Sequence, residues 1–284
     1  MTTGLTDISS LNSQYVTALY EDAVFAAREQ NLMTRLVRVF TDQSGDQTRS
    51  VSTYPTITPA AVGETDDFSA PTSFTKTSLA TLTPAEYISQ VLLTYRRLAT
   101  DPQNARQDAA LEMGAGFATQ IDQHLLSDCA SLTGGTVGAS GSTMTWAYFF
   151  QGVSYMRDNA VPRPWYCVLD PWQWHDLGVA SAVSATVTNA PQFQDAVMRQ
   201  WYVGTVAGVD VFVSGNVHKS TNDAYGAFFN PNAIALDIRR DLMLEPEKDA
   251  SRRAWELNMT ALYAHGVWRP AFGITVVSDA TAGG

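Results

Sequence analysis

The sequence predicts an α+β fold in which an extended β-hairpin precedes one long helix and a separate α/β lobe follows it. The helix is predicted over residues 101–130, where an apolar residue recurs at every fourth position and forms a row along one side. That row consists of Ala105, Ala109, Met113, Phe117, Ile121 and Leu125. Pro102 suits the first turn, because the N–H that proline lacks would have no partner there. Gly114 and Gly116 each cost about 1 kcal/mol in a helix interior, so we expect another segment to pack close to the backbone there.

Two stretches rich in β-forming residues predict the hairpin. Of the 43 residues from 41 to 83, 17 are Ser or Thr, and the few large apolar residues cannot bury a core. Strands are predicted over Thr48–Tyr54 and Phe74–Leu82, with an irregular tip at Gly63–Asp67. Because an isolated two-stranded ribbon is only marginally stable in water, it needs another surface, most simply a second copy of the protein. The alternative is a disordered linker rich in Ser and Thr.

The remaining elements follow from local periodicity and turn residues. Thr83–Glu86 could open a helix as a capping box, but Tyr87–Tyr95 has apolar residues on both faces, which favours a buried strand. The Gly-rich segment 133–143 marks a domain boundary. Further helices are predicted over Glu21–Leu36, Trp146–Asn159, a short segment capped by Asp170 and Pro171, and Phe193–Trp201. Further strands are predicted over Trp165–Leu169, Val203–Val206, Val209–Val213, Tyr225–Phe229, Trp255–Val267 and Phe272–Val277, of which the last two should form one antiparallel sheet against the long helix.

Composition narrows the class of protein. The chain has 284 residues, 45% of them hydrophobic and only 16% charged, as expected when other subunits cover much of the surface. Its net charge of −10 is opposite to the basic excess of a free-standing nucleic-acid binder. Cys129 and Cys167 fit no metal or redox spacing, and we expect both to be small buried hydrophobes in a reducing compartment. We expect no signal peptide, because Met1 leads into a polar stretch, and no apolar run is long enough to span a membrane.

Candidate chemistry is sparse. The nucleotide-binding, zinc-protease and serine-hydrolase motifs are missing from the sequence, and the four histidines lie at least 43 residues apart. Asp66 and Asp67 are adjacent in a loop, which suits a solvated turn better than a catalytic pair. Cys167 and His175 could act as a nucleophile and a base, but their aromatic surroundings favour a core corner. We therefore predict no catalytic, cofactor-binding or metal-binding residue and no enzyme, with a hydrolase site in the 144–238 lobe as the alternative.

The order of these parts resembles the major capsid proteins of tailed bacteriophages with the HK97-type fold. VLDPWQWHDLG (168–178) is similar to the strand, turn and Trp-bearing helix of their axial domain, and GVDVFVSGNV (208–217) is similar to the hairpin of that domain. The segment 234–270, from IALDIRR to HGVWRP, resembles the C-terminal part of capsid proteins from short-tailed, T7-like phages. The resemblance covers nearly the whole chain and depends on the order of the parts.

The resemblance implies a domain layout and a function. It divides the chain into an N-terminal arm (1–36), an extended loop (37–83), a peripheral domain (84–135 and 239–284) and an axial domain (136–238). It implies a virion capsid protein, assembled in the host bacterial cytoplasm, that forms the hexamers and pentamers of an icosahedral shell around double-stranded DNA. The implied partners are the protein itself, a scaffolding protein, a portal, a cement protein as a further candidate, and DNA without sequence-specific binding. An encapsulin-like compartment that holds protein cargo is the alternative within the same fold.

Subunit contacts are expected in the extended loop, after the predicted strand and in the charged tract near residue 245. Complementary charges at such boundaries fix register more than they add affinity. The candidates are Phe68, Phe74, Lys76, Arg96, Arg97, Arg239, Arg240, Glu245, Glu247, Arg252 and Arg253. Lys76 is the only lysine before residue 219, and some members of the family crosslink a lysine to an asparagine. The alternative is a solvated or salt-bridged lysine.

Overall fold

The structure is a computed structural model that describes residues 31–42, 45–55, 57–64, 73–100, 105–183 and 202–281. Several predictions lie outside these residues: Phe68, the turn with Asp66 and Asp67, Pro102, the helix Phe193–Trp201 and most of the helix Glu21–Leu36. The described end of that last helix, Met33–Arg35, is a single 3-10 turn.

The secondary structure within the described residues confirms the predicted mixed class. The α-helices are α1 (Tyr95–Thr100), α2 (Ala105–Ser127), α3 (Trp146–Asp158) and α4 (Pro171–Val183), and further 3-10 turns lie at Asp128–Ser131 and Pro270–Phe272. The strands are β1 (Arg38–Phe40), β2 (Arg49–Thr53), β3 (Thr77–Leu82), β4 (Ala85–Thr94), β5 (Thr136–Gly138), β6 (Tyr166–Leu169), β7 (Tyr202–Val206), β8 (Val209–Val213), β9 (Lys219–Ser220), β10 (Asp223–Phe229), β11 (Ile234–Asp249), β12 (Ala254–Val267) and β13 (Gly273–Asp279).

The described residues form two compact units. The first unit contains Glu86–Ile121 and Arg240–Leu262, and the second contains Leu32–Ala85, Asp122–Arg239 and Tyr263–Gly284. The second unit holds a mixed seven-stranded sheet in the order β5-β13-β10-β6-β8-β7, with β9 paired to β10. The predicted hairpin of β7 and β8 is confirmed as an antiparallel pair.

The core of the second unit lies between this sheet and helix α3. Phe149 of α3 meets Phe228 of β10 edge to face, with ring centroids 5.1 Å apart. Gly152 permits this close approach, because an added Cβ would lie 2.5 Å from Cε2 of Phe228. Thr145 caps α3 by accepting from the N–H of Tyr148 at 3.4 Å. These contacts confirm the predicted helix and explain why it begins where it does.

Strand β13 corrects one prediction about the C-terminal strands. We expected it to share a sheet with Trp255–Val267, but it lies between β5 and β10 in the other sheet. It pairs with β10 along its whole length, from Gly273 opposite Phe229 to Asp279 opposite Asp223. Gly273 through Ser278 are all buried, so the strand needs a covered position, and its place between β5 and β10 inside the seven-stranded sheet supplies one.

The first unit contains most of α2, most of β4, and the parts of β11 and β12 that lie within residues 240–262. Met113 and Phe117 of α2 are buried, as the four-residue spacing predicted. Strand β4 is confirmed as a strand, but the prediction that it is buried is wrong: Ile88 is 65% exposed and Leu92 is 45% exposed. The burial alternates along β4: Ile88 and Leu92 are exposed, whereas Tyr87, Val91 and Leu93 on the opposite face are half-buried. The expected close approach at Gly114 is also wrong, because an added Cβ would meet nothing within 4 Å.

The predicted hairpin is confirmed as the antiparallel pair β2 and β3. Arg49 lies opposite Leu82 at its base, and the register shifts between Val51 and Ser52, which marks a β-bulge. We call β2, β3 and the described neighbouring residues 54–55, 57–64 and 73–76 the ribbon. The other strands form a four-stranded sheet in the order β1-β11-β12-β4.

Candidate functional site: surfaces for subunit contact

The base of the ribbon is anchored within its own subunit. Leu82 is 1% exposed and packs in an apolar cluster with Ala235, Ala264 and Trp268. Opposite it, the guanidinium of Arg49 lies 4.3 Å above the ring centroid of Phe40. The expectation that the whole hairpin needs a second copy to fold is therefore wrong for its base.

The outer part of the ribbon presents apolar side chains to solvent. Tyr54 and Phe74 stack with ring centroids 4.4 Å apart and planes 6° from parallel, yet they are 47% and 60% exposed. The ammonium of Lys76 lies 5.6 Å from the ring centroid of Tyr54, a cation–π contact. Ile57 and Val62 are 60% and 52% exposed. Because each of these groups would lose water contact on burial, this surface is suited to contact with another molecule.

A second exposed surface belongs to the first unit. Residues 240–248 of β11 are all exposed, and three of them are large and apolar: Leu242, Met243 and Leu244. Arg240 forms an ion pair with Glu86 of β4. Arg252 forms ion pairs with Asp249 and Glu256, at N–O distances of 3.5 and 3.1 Å. Ion pairs at the surface add little stability, and complementary charges at a boundary act mainly on register.

The structure places the remaining candidate contact residues as follows. Arg96 and Arg97 are exposed in α1, directly after β4, while Glu245, Glu247 and Arg253 are exposed at the end of β11 and in the turn that follows it. Arg239 differs from the expectation, because it is 7% exposed and donates from Nε to Asp237 at 3.0 Å. Its position inside its own subunit does not suit contact with another subunit.

Comparison with known proteins identifies the fold. No protein-family model matches the chain, and no curated protein sequence is similar to it. Solved structures do match. The capsid structure of the cyanophage P-SCSP1u has a TM-score of 0.69 at 17% identity, over 91% of this chain and 91% of that one. The structure of Mycobacterium phage Che8 has a TM-score of 0.70 at 14% identity, over 90% and 94% of the two chains. The mature capsid of bacteriophage PhiM1 has a TM-score of 0.67 at 14% identity, over 92% and 90%.

This chain has the HK97-type capsid fold. Identities of 17% and below establish the fold alone, and they agree with the α+β class and the order of parts that the sequence predicted. The predicted boundaries of the arm, extended loop, peripheral domain and axial domain stay predictions.

Within the HK97-type fold, sequence reasoning missed the residue that binds the backbone of Leu32 and Met33. Asp122 of α2 is fully buried and accepts from the backbone N–H groups of Leu32 and Met33 at 2.9 and 2.8 Å. Its other oxygen accepts from Nδ2 of Asn216 at 2.9 Å. The sequence offers only one weak signal, which is an acidic residue directly after Ile121 of the apolar row.

The fold also brings two distant histidines together, which their spacing in the sequence did not predict. His124 of α2 and His265 of β12 stack with ring centroids 4.6 Å apart. His265 Nδ1 lies 2.9 Å from a carboxylate oxygen of Asp128, and His124 Nδ1 lies 3.0 Å from the hydroxyl of Tyr263. Burial, and then the nearby His265, lower the pKa of His124, while Asp128 opposes the shift.

The described residues offer little for catalysis. Cys129 and Cys167 are fully buried and free, and burial raises the pKa of both thiols, so neither is a thiolate at neutral pH. His175 is largely exposed and lies near Asp176. The described part of the chain contains no group of three or more His, Cys, Asp and Glu side chains placed to hold a metal ion. None of the helices in that part combines the length and apolar character needed to cross a membrane.

Proposed function

We propose that this protein is the major capsid protein of a tailed bacteriophage and that copies of it form the shell. The observation that carries the proposal is the match to phage capsid structures over about 90% of both chains, which leaves little of the chain for another role. The neighbours are structural proteins of the shell, so the proposed role is structural and not enzymatic.

The finer proposal concerns the assembly. Subunits form hexamers and pentamers that close into an icosahedral shell around double-stranded DNA, inside the host bacterial cytoplasm. A scaffolding protein, a portal and a cement protein are proposed as partners. Repetition of one modest contact around closed rings stabilises such a shell without a tight contact between any two subunits. The net charge of −10 is consistent with a wall that repels packaged DNA and lets it slide.

The ribbon supports contact between copies. Its base is anchored in its own subunit, whereas Tyr54, Ile57, Val62 and Phe74 are about half exposed or more. An aromatic pair of this size contributes to binding mainly when it is removed from water by a partner. A neighbouring subunit is the partner present at the required number and spacing in any closed shell.

Assembly of the purified protein tests this proposal. We expect the wild-type protein to form megadalton particles in size-exclusion chromatography and closed shells in negative-stain images. Phe74→Ser should abolish or strongly reduce these particles, because it removes the ring from the exposed pair. Phe74→Tyr, which keeps the ring, is the matched control and should assemble. A wild-type protein that remains a monomer or dimer under all assembly conditions would contradict the proposal and favour a scattered enzyme site.

Two further measurements separate the alternatives. Nucleic acid inside particles isolated from infected cells supports a phage shell, whereas protein cargo supports an encapsulin-like compartment. A crosslink through Lys76 would give oligomer ladders of mature particles on a denaturing gel, whereas monomer-sized bands would exclude it.

A further inference from the structure

Two carboxylates of different character hold Arg49 at the base of the ribbon. Asp237 of β11 is fully buried and accepts from Arg49 Nε at 2.8 Å. Asp42 is 64% exposed at its side chain and accepts from Arg49 Nη2 at 2.5 Å. The side chain of Arg49 itself is only 12% exposed. Its guanidinium thus joins the first residue of β2 to two separate parts of the second unit.

Asp237 does not depend on Arg49 for its counter-charge. Arg239, whose side chain is fully buried, donates from Nε to the same Asp237 oxygen at 3.0 Å. Without Arg49, the interior keeps a neutral Asp237–Arg239 pair and not an isolated carboxylate, which would be strongly destabilising. The Arg49 contact can therefore open while the fold around it stays intact.

The apolar packing at the base of the ribbon reaches as far as the bulge between Val51 and Ser52. Val51 still packs against the apolar cluster around Leu82, and it lies opposite Ala80. One residue further, Ser52 is exposed and lies opposite Ser78, because the bulge has shifted the register. Bulges bend a strand and increase its twist. Among the described residues, the contacts of Arg49, Leu82 and Val51 therefore hold the base from which the rest of the ribbon extends.

We propose that Arg49 forms a releasable contact that sets the direction in which the ribbon leaves its own subunit. This contact, which we call the latch, consists of the ion pairs of Arg49 with Asp42 and Asp237. This inference rests on the proposed function, since a ribbon that contacts a neighbour needs a defined direction. The latch is closed in the single chain. When these ion pairs break, the start of β2 at Arg49 can move, while Leu82 of β3 stays packed in the apolar cluster. Arg49 is then a positioning residue for subunit contact.

Limited proteolysis of free subunits, purified by size exclusion, tests the latch without requiring assembly. Chymotrypsin cleaves after aromatic residues that are not followed by proline. Tyr54 precedes Pro55 and resists cleavage, so the reporting site in the exposed part of the ribbon is the bond after Phe74. Arg49→Gln should speed cleavage there several-fold, and Arg49→Lys, which reaches only one carboxylate, should give an intermediate rate. The matched control is Arg38→Gln: Arg38 lies 4.8 Å from the same Phe40 ring centroid but donates to Asn232 and to neither carboxylate. It should be cleaved at the wild-type rate.

Other readouts separate positioning from general loss of stability. Arg49→Gln should unfold thermally close to the wild-type protein, and it should assemble into irregular or open particles. Equal cleavage rates for Arg49→Gln and wild type would overturn the latch, as would equal acceleration by Arg38→Gln. If Arg49→Gln does not fold, Asp42→Asn removes only the exposed ion pair of Arg49. An unchanged rate of chymotrypsin cleavage in that variant would then overturn the latch. Failure of the wild type to form shells counts against the proposed function, whereas cleavage of free subunits reports on the latch.

Discussion

Replacing Asp122 by alanine is expected to release the segment that begins at Leu32. The fully buried carboxylate accepts three hydrogen bonds, from the N–H groups of Leu32 and Met33 and from Nδ2 of Asn216, all within 2.9 Å. A buried donor left without an acceptor costs about 1–3 kcal/mol. Since relaxation and water recover part of three such losses, we expect Asp122→Ala to lower the free energy of unfolding by about 3–6 kcal/mol.

The amide variant isolates one of these bonds. Asp122→Asn keeps an oxygen for the two backbone amides but turns an NH₂ group toward the NH₂ group of Asn216. This donor–donor contact should cost about 1–3 kcal/mol. The reciprocal exchange, Asp122→Asn with Asn216→Asp, restores a donor opposite an acceptor and should recover at least half of that loss. A matched pair of this kind distinguishes hydrogen bonding from a change in side-chain volume.

Urea unfolding and hydrogen exchange measure these effects on unassembled protein. The midpoint should fall for Asp122→Ala, less for Asp122→Asn, and rise again in the exchange variant. Exchange of the Leu32 and Met33 amides should accelerate in the same order. If Asp122→Ala unfolded at the wild-type midpoint and those two amides kept their protection, the carboxylate would not hold this segment and the reasoning would fail.

Two further predictions concern the core and the histidine pair. Gly152→Ala should destabilise by about 1–3 kcal/mol because its Cβ would overlap the Phe228 ring, whereas Gly114→Ala, with open space around it, should stabilise α2 by about 0.5–1 kcal/mol. Thermal melts of the two variants check the difference, and equal shifts would contradict it. The pKa of His124 is lower in the folded than in the unfolded chain, so its contribution is complete above the unfolded pKa near 6.5 and is lost as the pH falls below that value. His124→Gln should therefore flatten the dependence of stability on pH below about 6.5, and a slope equal to that of the wild type would refute the assignment.

Local periodicity in the sequence predicted the helix and the strands discussed next. The four-residue spacing of Met113 and Phe117 identified α2, because a helix that packs on one side must place apolar residues at that interval. The β-branched residues of the ribbon identified β2 and β3 in the same way. Strand β13 was recognised as a strand, but its pattern does not encode which strand lies beside it, so its sheet was predicted wrongly.

The candidate contact residues show where reasoning from composition fails. Arg239 and Arg240 are adjacent in a charged tract, yet one is buried against Asp237 and the other is exposed. A strand turns alternate side chains to opposite faces, so Asp237 and Arg239 share the face of the buried Ala235. That alternation was the available signal. No such signal exists for the partners of Asp122, because two of its three donors are backbone amides, which every residue other than proline carries.

The position of β13 between β5 and β10 has a consequence for how the protein is made. Strands β5 and β10 lie on either side of a strand that leaves the ribosome long after both of them. Until residues 273–279 emerge, β5 and β10 lack the strand that lies between them. The backbone N–H and C=O groups that would pair with β13 then have no partners in the sheet. A chain cut short before residue 273 therefore cannot complete the larger sheet. We expect such fragments to be cleared as misfolded products, and we expect only complete chains in the shell that we propose.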